Sequence, residues 1–218
     1  MTSNRQQEIA TPNRKKSPTR IVVYIATMVA VSTVLKLVSN QLSAALPQSL
    51  KFSLAYLGWY LSAAVLGPYY GCAVACISDL IGQWLNPIGG PPNPIVTAGN
   101  GLSALIFGLA LRYLCFRKLP KYVDLLLRAV IGAAAAALIC TLGVNTFGQW
   151  LVKNSSTNYF AFTISRLPQL IMVAVNVALF AAILPVLFNL DLVHDAEKNR
   201  FVASAPSKQS DEARPNDK

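Results

Sequence analysis

The chain has 218 residues, of which 54% are hydrophobic and only 13% charged, and its formal net charge is +10. Soluble domains carry about 25% charged residues. The deficit, joined to long apolar runs, excludes an ordinary soluble domain and points to the bilayer, with a length that suits one compact membrane unit.

The positive charge is a matter of position and not a nucleic-acid footprint. Of the 19 Lys and Arg, fifteen lie in three places: Arg5, Arg14, Lys15, Lys16 and Arg20; Arg112, Arg117, Lys118, Lys121 and Arg128; Lys198, Arg200, Lys208, Arg214 and Lys218. Basic clusters at alternate ends of apolar spans form the positive-inside pattern. Residues 1–20 read as a disordered basic cytoplasmic tail without a cleavable signal, 191–218 as a second disordered tail, and 21–190 as the membrane unit.

Six helical spans are predicted, at 21–39, 53–66, 69–85, 95–114, 124–143 and 168–189, the last interrupted by Pro185. Six spans put both termini on one side, and the basic clusters put that side in the cytoplasm. Loops 40–52, 86–94 and 144–166 then face outward and hold only Lys51, Lys153 and Arg166. The inner turn at 67–71, GPYYG, is too tight to carry charge. The expected fold class is an all-α bundle of six transmembrane helices with both termini cytoplasmic.

Span one carries Lys36 near its outer end, either snorkelling to the interface or facing a pocket. It also carries an A-x-x-x-A pair, Ala26 and Ala30. Span three opens with the small pair Gly71 and Ala75, and span five holds GAAAAA at 132–137. Small residues four apart let helices approach closely. Deeper in span three stands Asp79, read as the sole carboxylate inside a span. Ionisable groups at such depth cost about 2.5–3.5 kcal/mol and face an interior or a cavity. Gln83 and Asn86 follow on the same helix face.

From Asp79 to Gly101 the chain reads DLIGQWLNPIGGPPNPIVTAGNG, dense in Pro, Gly and amides and without charge after Asp79. Non-helical backbone at membrane depth is buried in protein or lines a wet cavity, so this stretch reads as a loop closing a small-molecule pocket. Asn100, Asn145 and Gln149 add amides at the outer ends of spans four and five. Arg166 and Gln169 stand where span six begins. Trp59, Trp84 and Trp150 fall at outer or middle depth, where aromatic belts also lie. Each polar residue has two readings: a structural cluster holding neighbouring helices, or a substrate wall. As a wall, the set suits a small aromatic heterocycle with an amide edge and an anionic tail that seeks Lys or Arg.

Cys72, Cys76, Cys115 and Cys140 read as small core residues, and His194 as a solvated tail residue, so no metal set or cofactor is expected. No phosphate-binding G-x-x-x-x-G-K motif is present, nor G-x-S-x-G or H-E-x-x-H. The chain is not expected to hydrolyse ATP or to act as a hydrolytic enzyme.

Three blocks carry a family likeness. LGPYYGCAVACISDLIGQWLNPIGG resembles the pattern GPxxGAxVGxxxDLIGxxLxPxGG; NPIVTAGNGLSALIFG follows in register with FPGFTLxAxLxGLIxG; GVNTFGQWLV and RLPQLIMVAVN resemble LNTxWLxxLY and RxxKQLIMxPIQ. These patterns belong to the substrate-binding S component of energy-coupling factor (ECF) vitamin transporters, with the folate group most similar, over roughly residues 21–188. The resemblance implies a six-helix fold with an outward vitamin pocket, in complex with a transmembrane T subunit and two ATPases. It implies that the subunit topples in the membrane to release substrate inward. It places Ala26 and Ala30 against the T subunit, with Gly71 and Ala75 adding a flat face. The shared Thr of the second block is Thr97, preceded by Asn93 where the folate pattern has Phe. Pantothenate, a pyrimidine or a queuosine-type base stay open beside folate, as does an intramembrane enzyme using Asp79.

Overall fold

A computed structural model describes residues 18–44, 53–86, 92–114, 120–153 and 158–189. The expectations for the tails at 1–17 and 191–218, for Lys51, Cys115 and His194, and for the Pro-Gly centre at 87–91 lie outside the described residues.

The regular structure is helical throughout the described residues. In chain order it consists of α1 (Pro18–Ala44), α2 (Ala55–Leu66), α3 (Pro68–Leu85), α4 (Pro94–Tyr113) and α5 (Lys121–Ala136). The last of these continues through a π-helical segment (Ala137–Asn145) into α6 (Thr146–Lys153), and α7 (Tyr159–Ile164) and α8 (Gln169–Asn189) follow. Grouped as passes, α5 to α6 form one and α7 with α8 form another, which gives the six spans expected. Among the described residues, four passes are long and apolar enough to cross a bilayer: 21–43, 94–113, 122–152 and 159–186. The 12 residues of α2 rise about 18 Å against a hydrocarbon core of about 30 Å. α2 is accordingly an inner helix, packed on α1, α3, α4 and α8.

Three boundaries differ from the sequence expectation. The GPYYG turn is a single residue: Gly67, at φ 98°, reverses the chain, and Pro68 already opens α3. Only glycine takes that backbone region freely, and proline suits the first helical position. The fifth span does not stop at Gly143. Its turns widen across Ala137–Asn145 and the helix runs on to Lys153, with the Thr146 hydroxyl donating to Thr141 O at 2.8 Å inside the widened turn. Span six begins at Tyr159, where the Asn158 side chain accepts from Phe160 N at 3.1 Å as an N-cap. The expected outer loop 144–166 is therefore mostly helix.

The apolar core joins α2, α4, α5 and α8 through Leu57, Tyr60, Ala63, Phe107, Ala129, Ala133, Phe180 and Leu184. Tyr60 stacks on Phe107 at 4.0 Å between ring centroids, and Phe107 meets Phe180 edge-on at 5.3 Å. Small residues set the helix spacing around this stack: a Cβ added at Gly71 would lie 2.6 Å from Ala63 Cα. That contact corrects one expectation. Gly71 and Ala75 are buried against neighbouring helices of the same chain and present no face to a partner. Ala26 and Ala30, in contrast, are exposed on α1, while Ser32 on the same helix is buried against Gly58 of α2.

Candidate functional site

The polar residues singled out in the sequence gather at one end of the bundle. That end holds the C-terminal turns of α1 and α3, the start of α4, the π-helical segment with α6, and the turn before α8. In a six-pass chain it lies opposite the termini, and it is the outer end by the charge pattern.

Its first part is a closed ionic cluster. Lys36 Nζ donates to Asp79 Oδ1 at 2.5 Å and to the Asp79 backbone oxygen at 2.7 Å. The two side chains are 13% and 3% exposed. Lys36 thus does not snorkel. Its stem lies on Gly82, where an added Cβ would meet Lys36 Cδ at 2.5 Å. The other carboxylate oxygen, Oδ2, accepts from the Thr97 hydroxyl at 2.8 Å and from Gln83 Nε2. Gln83 Nε2 also reaches Thr97 Oγ1 at 3.1 Å. A buried carboxylate is tolerable when paired and hydrogen-bonded on both oxygens, and Asp79 meets both conditions. The cluster ties α1, α3 and α4 together and leaves Asp79 engaged inside the chain, which differs from an open substrate wall.

Asn93 extends this framework. Its backbone N–H donates to Gln83 Oε1 at 3.0 Å, its Oδ1 caps α4 by accepting from Ile95 N at 3.0 Å, and its Nδ2 donates to Gly148 O at 2.8 Å. Asn93 thus ties the start of α4 to both α3 and α6. Asn86 ends α3, where its backbone N–H bonds Gly82 O at 3.1 Å. Its side chain enters none of the hydrogen bonds among the described residues.

The second part is less saturated. Asn145 Nδ2 donates to Asn100 Oδ1 at 2.8 Å, joining the π-helical segment to α4. Asn145 Oδ1 and Thr141 Oγ1 are buried yet take part in no hydrogen bond among the described residues. The Tyr56 hydroxyl, on α2, is placed to bond to both at a looser geometry, and it lies within electrostatic range of Asp79 and Arg166. Thr141 and Asn145 both turn inward from the π-helical segment. Such widened turns concentrate at functional sites because they re-aim side chains.

Arg166 lies at the same end of the bundle. It is buried, donates from Nη2 to Gln149 Oε1 at 2.5 Å, and lies 4.6 Å over the Phe162 ring. Gln149 is one turn beyond Asn145. Gln169 opens α8 with its backbone N–H on Arg166 O at 2.9 Å and is half-buried. Of the three tryptophans, Trp59 is buried and donates to Ser78 Oγ at 2.9 Å. Trp84 is 77% exposed, as an interfacial ring would be, and Trp150 packs edge-on against Tyr159 at 5.7 Å.

Sequence reasoning missed Tyr56 and Thr141, which carry no motif of their own. It also placed Arg128 with the loop cations. Arg128 is buried at the inner end of α5, paired with Asp124 four residues earlier and donating to Leu111 O at 3.2 Å. Asp79 is therefore not the sole carboxylate inside a span; the i, i+4 spacing of Asp124 and Arg128 was the available signal. Among the described residues no group of His, Cys, Asp and Glu is placed to hold a metal ion.

The bundle, with a cluster of buried polar residues at its outer end, defines a polytopic helical membrane protein. The family comparison agrees. The family model described as ECF-type riboflavin transporter, S component, matches residues 16–190, and the chain belongs to that family. Members are membrane-embedded substrate-binding subunits of transporters, not enzymes, and work with T and ATPase modules. A comparison with curated proteins gives no match.

Proposed function

We propose that this chain is the substrate-capture subunit of an ATP-driven vitamin importer and that its ligand is a flavin. It binds at the niche formed by Tyr56, Asn100, Thr141, Asn145 and Arg166, and is released inward by reorientation on a T subunit driven by separate ATPases. The observation that carries the flavin reading is the family match over residues 16–190, which favours riboflavin over the folate expected from the sequence blocks. The niche chemistry supports it. An isoalloxazine ring is flat and apolar on its faces, with an imide edge that both donates and accepts. Asn145 Oδ1 and Thr141 Oγ1 are buried groups that make no close hydrogen bond among the described residues and share the Tyr56 hydroxyl at a looser geometry, and a ligand donor there offsets a desolvation cost of about 1–3 kcal/mol per group. Asn93, Asp79, Gln83, Thr97 and Lys36 frame the niche and hold the outer ends of α1, α3, α4 and α6 in register.

Ala26 and Ala30, exposed on α1, offer the close-approach face to the T subunit. The test is titration of the detergent-purified subunit with riboflavin and with folate, followed by quenching of flavin or tryptophan fluorescence. Saturable riboflavin binding, weakened about tenfold or more by Asn145→Leu, is expected. Folate binding without riboflavin binding would overturn the flavin assignment.

A further inference from the structure

We infer that Cys72 and Cys76 form a dithiol site on α3 that captures a monosubstituted trivalent arsenical, with the arsenic atom bridging the two sulfurs. The residues stand four apart on one helix, and both are free, half-buried thiols. Both sulfurs turn toward one point on α4. A Cβ added at Gly101 would overlap Cys76 Sγ and lie 3.2 Å from Cys72 Sγ, so the pair faces the place where this glycine has no side chain. The Cys76 thiol also donates to Thr97 O at 3.8 Å, which holds its side chain toward α4. The remaining free thiol of the described residues, Cys140, is buried on the π-helical segment.

The spacing decides what can join the sulfurs. Residues four apart on a helix hold their Cβ atoms about 5–6 Å apart, and a disulfide needs about 3.5–4.5 Å. A direct sulfur–sulfur bond would distort α3, whereas one inserted atom bonded to both sulfurs spans the longer separation. Among the described residues no third His, Cys, Asp or Glu joins the pair, so an inserted atom has two protein ligands and no more. The surroundings favour a neutral product. Both cysteines lie in the membrane unit, where a charge is costly, and a monovalent soft metal ion between two thiolates would leave a net negative charge. Trivalent arsenic bearing one organic group meets each demand: it needs only two further bonds, and its dithiol adduct is neutral. The step balances without an oxidant. Two As–S bonds form, the two S–H protons leave with the arsenical's oxygen as water, and arsenic stays trivalent.

The probe is phenylarsine oxide, added in equimolar amount to the full chain purified in detergent, with intact-mass spectrometry and a thiol count as readouts. The wild type is expected to gain one phenylarsenic group and lose two thiols. Because two bonds hold the group, its removal by a monothiol should need a concentration about 100-fold or more above that of a dithiol such as 2,3-dimercaptopropanol. Cys72→Ser and Cys76→Ser should each lose the monothiol-resistant adduct, and Cys115→Ala/Cys140→Ala should keep it. Peptide mapping of the wild-type adduct locates the arsenic without any variant, and it should fall on the peptide that holds both Cys72 and Cys76. No adduct on the wild type, an adduct that monothiol and dithiol remove equally well, or arsenic mapped to Cys115 or Cys140 would overturn the assignment. Persistence of the resistant adduct in both serine variants would overturn it as well.

Discussion

Lys36→Met removes the cation paired with Asp79 and keeps a side chain of similar length on Gly82. Asp79 would retain its bonds from Thr97 and Gln83 but lose contacts at 2.5 and 2.7 Å to the ammonium group. Removing one partner of a buried pair costs about 3–5 kcal/mol, because the other charge stays buried and uncompensated. The 13% exposure of Lys36 puts this pair at the lower end, about 3 kcal/mol. For a chain of this size each kcal/mol moves Tm by about 2–4 °C, so Lys36→Met and Asp79→Asn should each lower Tm by about 6–12 °C. The double variant Lys36→Met/Asp79→Asn leaves no unpaired charge and should melt within about 1 kcal/mol of wild type. The assay is thermal unfolding in detergent, read by size-exclusion chromatography after heating. If the double variant melts as low as the sum of its two singles, the cluster is not a coupled ion pair and the reasoning fails.

Three further outcomes follow from other parts of the molecule. Gly71→Ala places a Cβ 2.6 Å from Ala63 Cα and should cost about 1–3 kcal/mol of stability; an unchanged melting temperature would contradict the burial of that face. Ala26→Trp and Ala30→Trp should abolish uptake in cells carrying the T and ATPase partners while leaving ligand affinity within about twofold, because both positions are exposed on α1; wild-type co-purification of the variants with the T subunit would contradict this. Asp124→Asn should destabilise the inner end of α5 by about 3 kcal/mol without altering ligand affinity, and a large affinity loss would show that the two ends are coupled.

The number and order of the spans could be read from the sequence because apolar runs and the positions of Lys and Arg report them directly. Two boundaries could not. Gly143 looks like a helix stop, yet a π-helical turn carries the chain past it, with Thr146 bonding back to Thr141. Gly67 alone makes a turn that five residues seemed to need. Asp79 announced itself as a buried carboxylate, but its partner Lys36 lies 43 residues away and reads equally well as a snorkelling side chain. Asn93 stood out as an amide in the outer loop; only the fold shows its side chain capping α4 and tying it to α6. Arg166 had the same ambiguity, which the fold resolves by burying it beside Gln149 and Phe162. Tyr56 and Thr141 carried no signal, since their importance comes from which helices meet and not from any local pattern.

The central claim is that this subunit, by itself, captures a vitamin at the Tyr56–Asn145–Arg166 niche. Isothermal titration of the purified protein with a panel of riboflavin, riboflavin 5′-phosphate, folate and pantothenate tests it most directly. The account predicts one saturable, nanomolar-class flavin site that Asn145→Leu weakens; absence of binding to every member of the panel would contradict it.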